Sequence, residues 1–262
     1  MPWRAFAPGA PAASDPLLAR AIRWQAEQPG LRAGSFEVRA AGWLLTNRVA
    51  VVEIDPNRYR FSLAAAPSFA PRSADAWMVD STIVLAANTG LFGQGGAPQG
   101  LVLLDGVRHG RLSAWLDAVV AFEDGRPRLL GLPEARSLDG GASAFQVLPW
   151  LVRGGRVAFG ATSGLGLSRT HRDRRLTLCL GTDGLVRLLL SNFEVFGQEA
   201  GTIPVGLTIP EQATIAGAAG CADAVALDGG ISAQLIVRVG RRVHRMPGWR
   251  EVPLVMLVRR RR

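Results

Sequence analysis

From residue 35 onward the chain is interrupted at short intervals by hairpin turns, and this constrains its fold more than any other feature. The turn signals are Asp55-Pro56-Asn57, Asp105-Gly106, Asp124-Gly125, Gly154-Gly155 and Asp183-Gly184. Asp-Gly and Gly-Gly pairs supply the positive φ angles that tight two-residue turns need. The segments between them, such as 49–54 and 59–63, have strand composition. Residues 83–87 are continuously apolar, as in a strand buried on both faces. Helix signals are few. Ser14-Asp15-Pro16 opens one helix that Pro29-Gly30 closes. A second starts with Thr208 as cap, Pro210 in the first turn and Glu211 completing a capping box; it runs to about Ala219 and stops at Gly220. The pattern predicts an α+β fold: a single domain over 35–262 with a large mixed, hairpin-rich sheet and a few packing helices. Residues 1–34 read as an N-terminal extension with one helix.

With 262 residues, 48% hydrophobic and 19% charged, the chain can bury a full core. No apolar run reaches the ~20 residues of a membrane span. The formal net charge is +9, and every one of the 30 basic residues is arginine. Guanidinium binds phosphate bidentately, and a basic surface attracts anionic surfaces weakly and in a salt-dependent way. Nucleic acid is not the expected partner. The basic runs 172–175, 241–242 and 259–262 are short and lack interleaved aromatics. The last of them reads as a frayed tail after a closing strand. Cys179 and Cys221 each lie in or beside apolar runs; two buried thiols are the default, with one disulfide as the alternative. Residues 1–10 lack the roughly 7–15-residue apolar core of a secretory signal.

Chemistry concentrates in one segment. Residues 224–227 form an apolar run that delivers Asp228, followed at once by Gly229, Gly230, Ile231 and Ser232. A strand end bearing a carboxylate, two glycines and a hydroxyl can hold a polar ligand, and it can equally be a plain Asp-Gly hairpin.

Other segments accompany it in order: Asn88-Thr89-Gly90-Leu91-Phe92, then Pro98-Gln99-Gly100-Leu101; Gln146-Val147-Leu148-Pro149 leading to Gly154-Gly155; and Ser168-Arg169-Thr170. Together with the helix, Gly220-Cys221 and the Leu-Asp-Gly-Gly-x-Ser run, they resemble the phosphodiester glycosidase family over roughly residues 45–240. The resemblance implies a hydrolase that cleaves the bond between a sugar and a phosphodiester, in an envelope or extracellular glycan, and an exported or envelope-associated protein. The alternative is a non-catalytic carbohydrate- or anion-binding protein on the same fold. It is favoured by two departures from the family pattern: Thr89 stands where the family has a glycine, and His171-Arg172-Asp173 replaces a small-apolar-Gly run; Leu148 also stands where the family has a glycine.

The three histidines, His109, His171 and His244, are dispersed, and no spacing supports a metal site or calls for a cofactor. Carboxylates are left to do the chemistry, as glycoside cleavage commonly requires. Asp228 is the first candidate, partly on the resemblance. Asp80, Asp173, Asp183 and Glu199 are open as its partner. Arg169 is the candidate for stabilising a departing phosphate. Asn88, Gly90, Thr170, Gly229, Gly230 and Ser232 are the expected substrate-binding positions.

Overall fold

The computed structural model describes residues 8–39, 46–138, 141–159, 167–195, 198–199 and 206–261. Three sheets dominate it. The largest runs in the order Arg23–Gln28, Leu31–Arg39, Thr46–Ile54, Val186–Val195, Arg175–Gly181, Cys221–Ala226, Trp150–Arg153 and Arg156–Val157, with Gln198–Glu199 paired to Val186–Val195. A second holds Val107–His109, Val102–Leu104, Ser143–Val147, Ala118–Glu123 and Arg126–Gly131. The third is ordered Arg242–Met246, Leu235–Val239, Ile83–Asn88, Leu254–Arg260 and Tyr59–Ala65.

Every named strand pairing is antiparallel, which corrects the expected single mixed sheet to three antiparallel ones in a mostly-β fold. The short turns read from the sequence can only return the chain beside itself. Inward-facing residues of all three sheets meet in one core, including Phe61, Leu85, Phe145, Leu178, Val225, Leu235 and Met256. The 83–87 run is buried throughout, between the Leu235–Val239 and Leu254–Arg260 strands.

Two helical expectations meet different outcomes. Ile209–Ala218 forms as read: the Thr208 hydroxyl accepts from the Glu211 amide at 3.3 Å, and Glu211 Oε2 accepts from Thr208 N at 2.9 Å. The first helix is shorter than expected. Pro16–Ala21 is capped by Asp15, whose carboxylate accepts from Leu17 N at 2.8 Å, but the chain then enters the Arg23–Gln28 strand. Pro29-Gly30 is that strand's hairpin turn, with Gly30 at φ +74°. Alternating exposure along residues 23–28 suits a strand packed on one face, and pairing with Leu31–Arg39 outweighs the short helical pattern.

Two further expectations change. Cys179 and Cys221 are bonded to each other, with Cα atoms 5.5 Å apart on adjacent strands. The basic terminus is anchored rather than frayed. Arg259 and Arg260 belong to the last strand, and Arg261 donates to the carbonyls of Pro56, Tyr59 and Asp124 at 2.8–3.2 Å. Arg262 lies outside the described residues.

Candidate active site

Asp228 lies where the largest sheet meets the third. It follows the Cys221–Ala226 strand, and its amide donates to the carbonyl of Thr89, just beyond the Ile83–Asn88 strand, at 2.8 Å. Asn88 closes the same seam from the other side. Its Nδ2 donates to the Asp228 carbonyl at 2.8 Å, and its Oδ1 accepts from Gln234 N at 3.0 Å. Both ends of the buried Asn88 amide therefore serve the main chain, and the residue positions Asp228.

The two glycines after Asp228 let its loop lie against residues 173 and 174. Gly230 N donates to the Arg174 carbonyl at 2.9 Å, and a Cβ on Gly229 would stand 2.8 Å from that oxygen. Gly230 has φ +62°, and a Cβ there would lie 3.0 Å from Asp173 Oδ2. The chain turns through Gly230–Ser232, which brings the buried Ser232 hydroxyl near the Asp228 carboxyl, where it favours the charged form.

The electrostatics single this carboxyl out. Burial pushes Asp228 up to about 7, against the lowering effects of the Ser232 hydroxyl and the Arg250 charge; the nearby Asp173 charge raises it further. A carboxyl shifted this far, at a strand end beside another carboxylate, is suited to acid–base work near neutral pH.

Among the candidate partner carboxylates whose side chains are described, Asp173 is the one whose charge acts on Asp228. Asp80 caps an exposed turn, accepting from the amides of Thr82 and Ile83 at 2.7 and 3.2 Å. Asp183 pairs with Arg187, and the Glu199 side chain lies outside the described residues. His171 joins the constellation, with Nε2 3.5 Å from Asp173 Oδ2.

The remaining predicted positions take varied places. Gly90 packs against the Gln146 carbonyl, 2.6 Å from where its Cβ would be. Arg169 is exposed, with its guanidinium 5.9 Å from the Phe159 ring centre, and it forms no salt bridge among the described residues. Thr170 is exposed, its hydroxyl 3.3 Å from that of Ser168, and the Ser168 hydroxyl also accepts from His171 N at 3.0 Å. The 168–173 segment thus reaches the Asp228 loop through Asp173. It is tied to the Ile209–Ala218 helix by a two-pronged Arg172–Glu211 pair at 2.8 and 2.9 Å.

Sequence reasoning passed over Arg250. It follows Pro247-Gly248-Trp249, and a tryptophan and an arginine directly after a Pro-Gly turn were the available signal. Its guanidinium lies 4.7 Å from the ring centre of Phe92 and forms no salt bridge among the described residues. Thr89, a departure from the family pattern, turns inward instead: it is buried, and its hydroxyl donates to the Leu254 carbonyl at 3.1 Å.

Comparison with known proteins agrees with this architecture. The phosphodiester glycosidase family model matches residues 81–259, and the chain belongs to that family. No curated protein sequence matches it significantly. The catalytic domain of zebrafish N-acetylglucosamine-1-phosphodiester alpha-N-acetylglucosaminidase, auto-inhibited by its pro-peptide, superposes with a TM-score of 0.66 at 15% identity, covering 98% of this chain and 96% of that one. A hypothetical protein from Synechocystis gives 0.65 at 16% identity over 92% of this chain, which spans 64% of that protein's length. A protein of Burkholderia pseudomallei K96243 described as exported gives 0.54 at 15% identity, covering 82% of this chain and 74% of the other. At these identities the structural matches establish the shared fold.

Proposed function

We propose that the chain is a hydrolase that cleaves a glycosyl phosphodiester between the anomeric carbon and the phosphate oxygen. The observation that carries this reading is the Asp228 carboxyl, half-protonated near neutral pH and set beside Asp173 and Arg250 at the sheet seam of a phosphodiester glycosidase chain. Asp228 in its acid form gives its proton to the departing phosphate oxygen. Asp173 takes a proton from the water that adds to the anomeric carbon, and the products are a free sugar and a phosphate monoester. Arg169, exposed and without a salt bridge among the described residues, offsets the charge gathering on the leaving phosphate. The Thr89 side chain turns inward to the Leu254 carbonyl, which weighs against that departure as a ground for the non-catalytic alternative.

The substrate we propose is a glycosyl phosphate of an envelope or extracellular glycan. An exported location is supported by the Cys179–Cys221 bond, since such bonds persist in oxidising compartments. Among the described residues, no helix is long and apolar enough to cross a membrane.

The test is release of reducing sugar from the methyl diester of N-acetylglucosamine 1-phosphate and from a panel of other glycosyl phosphodiesters. Asp228→Asn should stay folded and lose ~10²–10⁴-fold in turnover. Arg169→Lys should lower kcat and kcat/KM together, since an ammonium cannot reproduce the guanidinium fork. Wild-type protein that binds members of the panel and turns over none of them would replace hydrolysis with the binding-protein reading.

A further inference from the structure

Two of the large hydrophobic side chains that the fold leaves exposed stand together beside Asp228. Trp249 is 58% exposed and Ile231 is 45% exposed. They are held by the main chain: Trp249 N and Arg250 N both donate to the Ile231 carbonyl, at 2.8 and 3.0 Å. The 247–250 loop is pinned twice more. Arg174 Nη1 donates to the Pro247 carbonyl at 2.7 Å, and Gln234 Nε2 donates to the Arg250 carbonyl at 2.9 Å. Gly248 permits this close seating, because a Cβ there would lie 3.0 Å from both the Ile231 carbonyl and Gln234 Nε2. Gln234 is also the residue whose amide holds Asn88 Oδ1, so one set of contacts fixes both the loop and the Asp228 seam.

An aromatic ring left in water, its backbone bonded to Ile231 three residues along from a catalytic carboxylate candidate, has no packing role to explain its exposure. Rigid aromatic surface loses little conformational entropy on binding and concentrates binding energy. A pyranose ring offers a face of C–H groups that fits a flat indole, and its hydroxyls remain free for polar contacts. Arg250, the next residue, brings a guanidinium whose charge reaches Asp228 and whose position is set by the Phe92 ring.

We infer that the 247–250 loop is the recognition arm of the Asp228 site, with Trp249 and Ile231 forming the platform for the substrate's sugar ring and Arg250 binding the phosphodiester beside it. This rests on the glycosyl phosphodiester reading above, and it assigns the two halves of that substrate to different residues.

Binding and turnover separate the two proposals. Calorimetric titrations would use the Asp228→Asn protein, so that the probe survives, with the methyl diester of N-acetylglucosamine 1-phosphate, free N-acetylglucosamine and methyl phosphate. Adding Trp249→Ala should weaken the diester and the free sugar alike by about tenfold and leave methyl phosphate unchanged. Adding Arg250→Gln should weaken the diester and methyl phosphate and spare the free sugar. In the active protein, Trp249→Ala should raise KM with kcat retained. The arm is overturned if a folded Trp249→Ala protein binds all three probes like its parent, or if the parent binds none of them. Unchanged binding accompanied by loss of a dimer in sedimentation would assign the platform to a second copy of the chain, also against the inference. Hydrolysis itself stands or falls on the turnover of wild type against Asp228→Asn, whatever the titrations give.

Discussion

Asn88 and Asp228, 140 positions apart, are joined through the Asn88 side-chain amide and the Asp228 carbonyl at 2.8 Å, so the candidate catalytic carboxylate is held in place by the end of a strand in another sheet. The Asn88 oxygen accepts from Gln234 N at 3.0 Å, so both polar atoms of the amide hold main-chain partners.

Replacing Asn88 by alanine should therefore act on position and stability together. Two main-chain groups in the seam lose their partners, at a cost of ~1–3 kcal/mol each. Urea denaturation should show a lower midpoint, and kcat should fall without a matching rise in KM. Unchanged stability in Asn88→Ala would show that the bridge between the sheets is unimportant.

The pH dependence follows from the raised Asp228 carboxyl. Its folded value of about 7 lies above the ordinary carboxyl value of 3.8, so the folded state holds this proton more tightly than the unfolded chain does. Stability from this group is full below about pH 4 and is lost as pH rises through 7. Asp228→Asn removes that loss. The substituted protein should gain stability over wild type at pH 8, on the order of 2 kcal/mol given the carboxyl's partial exposure, and little at pH 4. Thermal melts at the two pH values check the sign.

The same carboxyl should set a limb near pH 7 in the activity profile, and its two charged neighbours should move that limb in opposite directions. Arg250→Gln removes a charge that lowers the Asp228 value, so the limb should rise. Asp173→Asn removes a like charge, so any residual activity should show the limb at lower pH. A limb that both substitutions leave in place would belong to another group.

The Cys179–Cys221 bond closes a stretch with a sequence separation of 42, and loop-closure entropy puts its contribution at about 4 kcal/mol. The double Cys→Ala protein should melt well below wild type. It should also lose activity at temperatures where wild type is intact, because the strand that starts at Cys221 leads to Asp228. Melting under reducing and oxidising conditions is the check.

Arg261 offers a contrast remote from the site. Arg261→Ala gives up side-chain hydrogen bonds to the carbonyls of Pro56, Tyr59 and Asp124. It should cost ~1–2 kcal/mol in denaturation and leave turnover of a glycosyl phosphodiester unchanged. An equal loss of turnover would place the terminus in the active site.

Local chemistry was legible without the fold. The capping box at Thr208 and Glu211, the Asp-Gly turns, the buried strand through residues 83–87 and the Asp228-Gly229-Gly230 motif all depend on neighbours a few positions away, and their residue types state the backbone they need. What the sequence could not carry were choices made between distant segments. Residues 23–28 became a strand because a partner strand lay alongside to take up their hydrogen bonds. The strands divided into three sheets because antiparallel pairing between remote segments and a shared core fix which edges meet. Asp173 stood as one of four equivalent carboxylates until the Gly230 turn brought it against the Asp228 loop, and Arg250 showed no role until its own loop was pinned there. Sequence alone determined the kinds of turn, the helix start and the carboxylate at a strand end. Tertiary structure decided which charges reach that carboxylate, because burial and electrostatic coupling depend on distances in space that positions along a chain do not record.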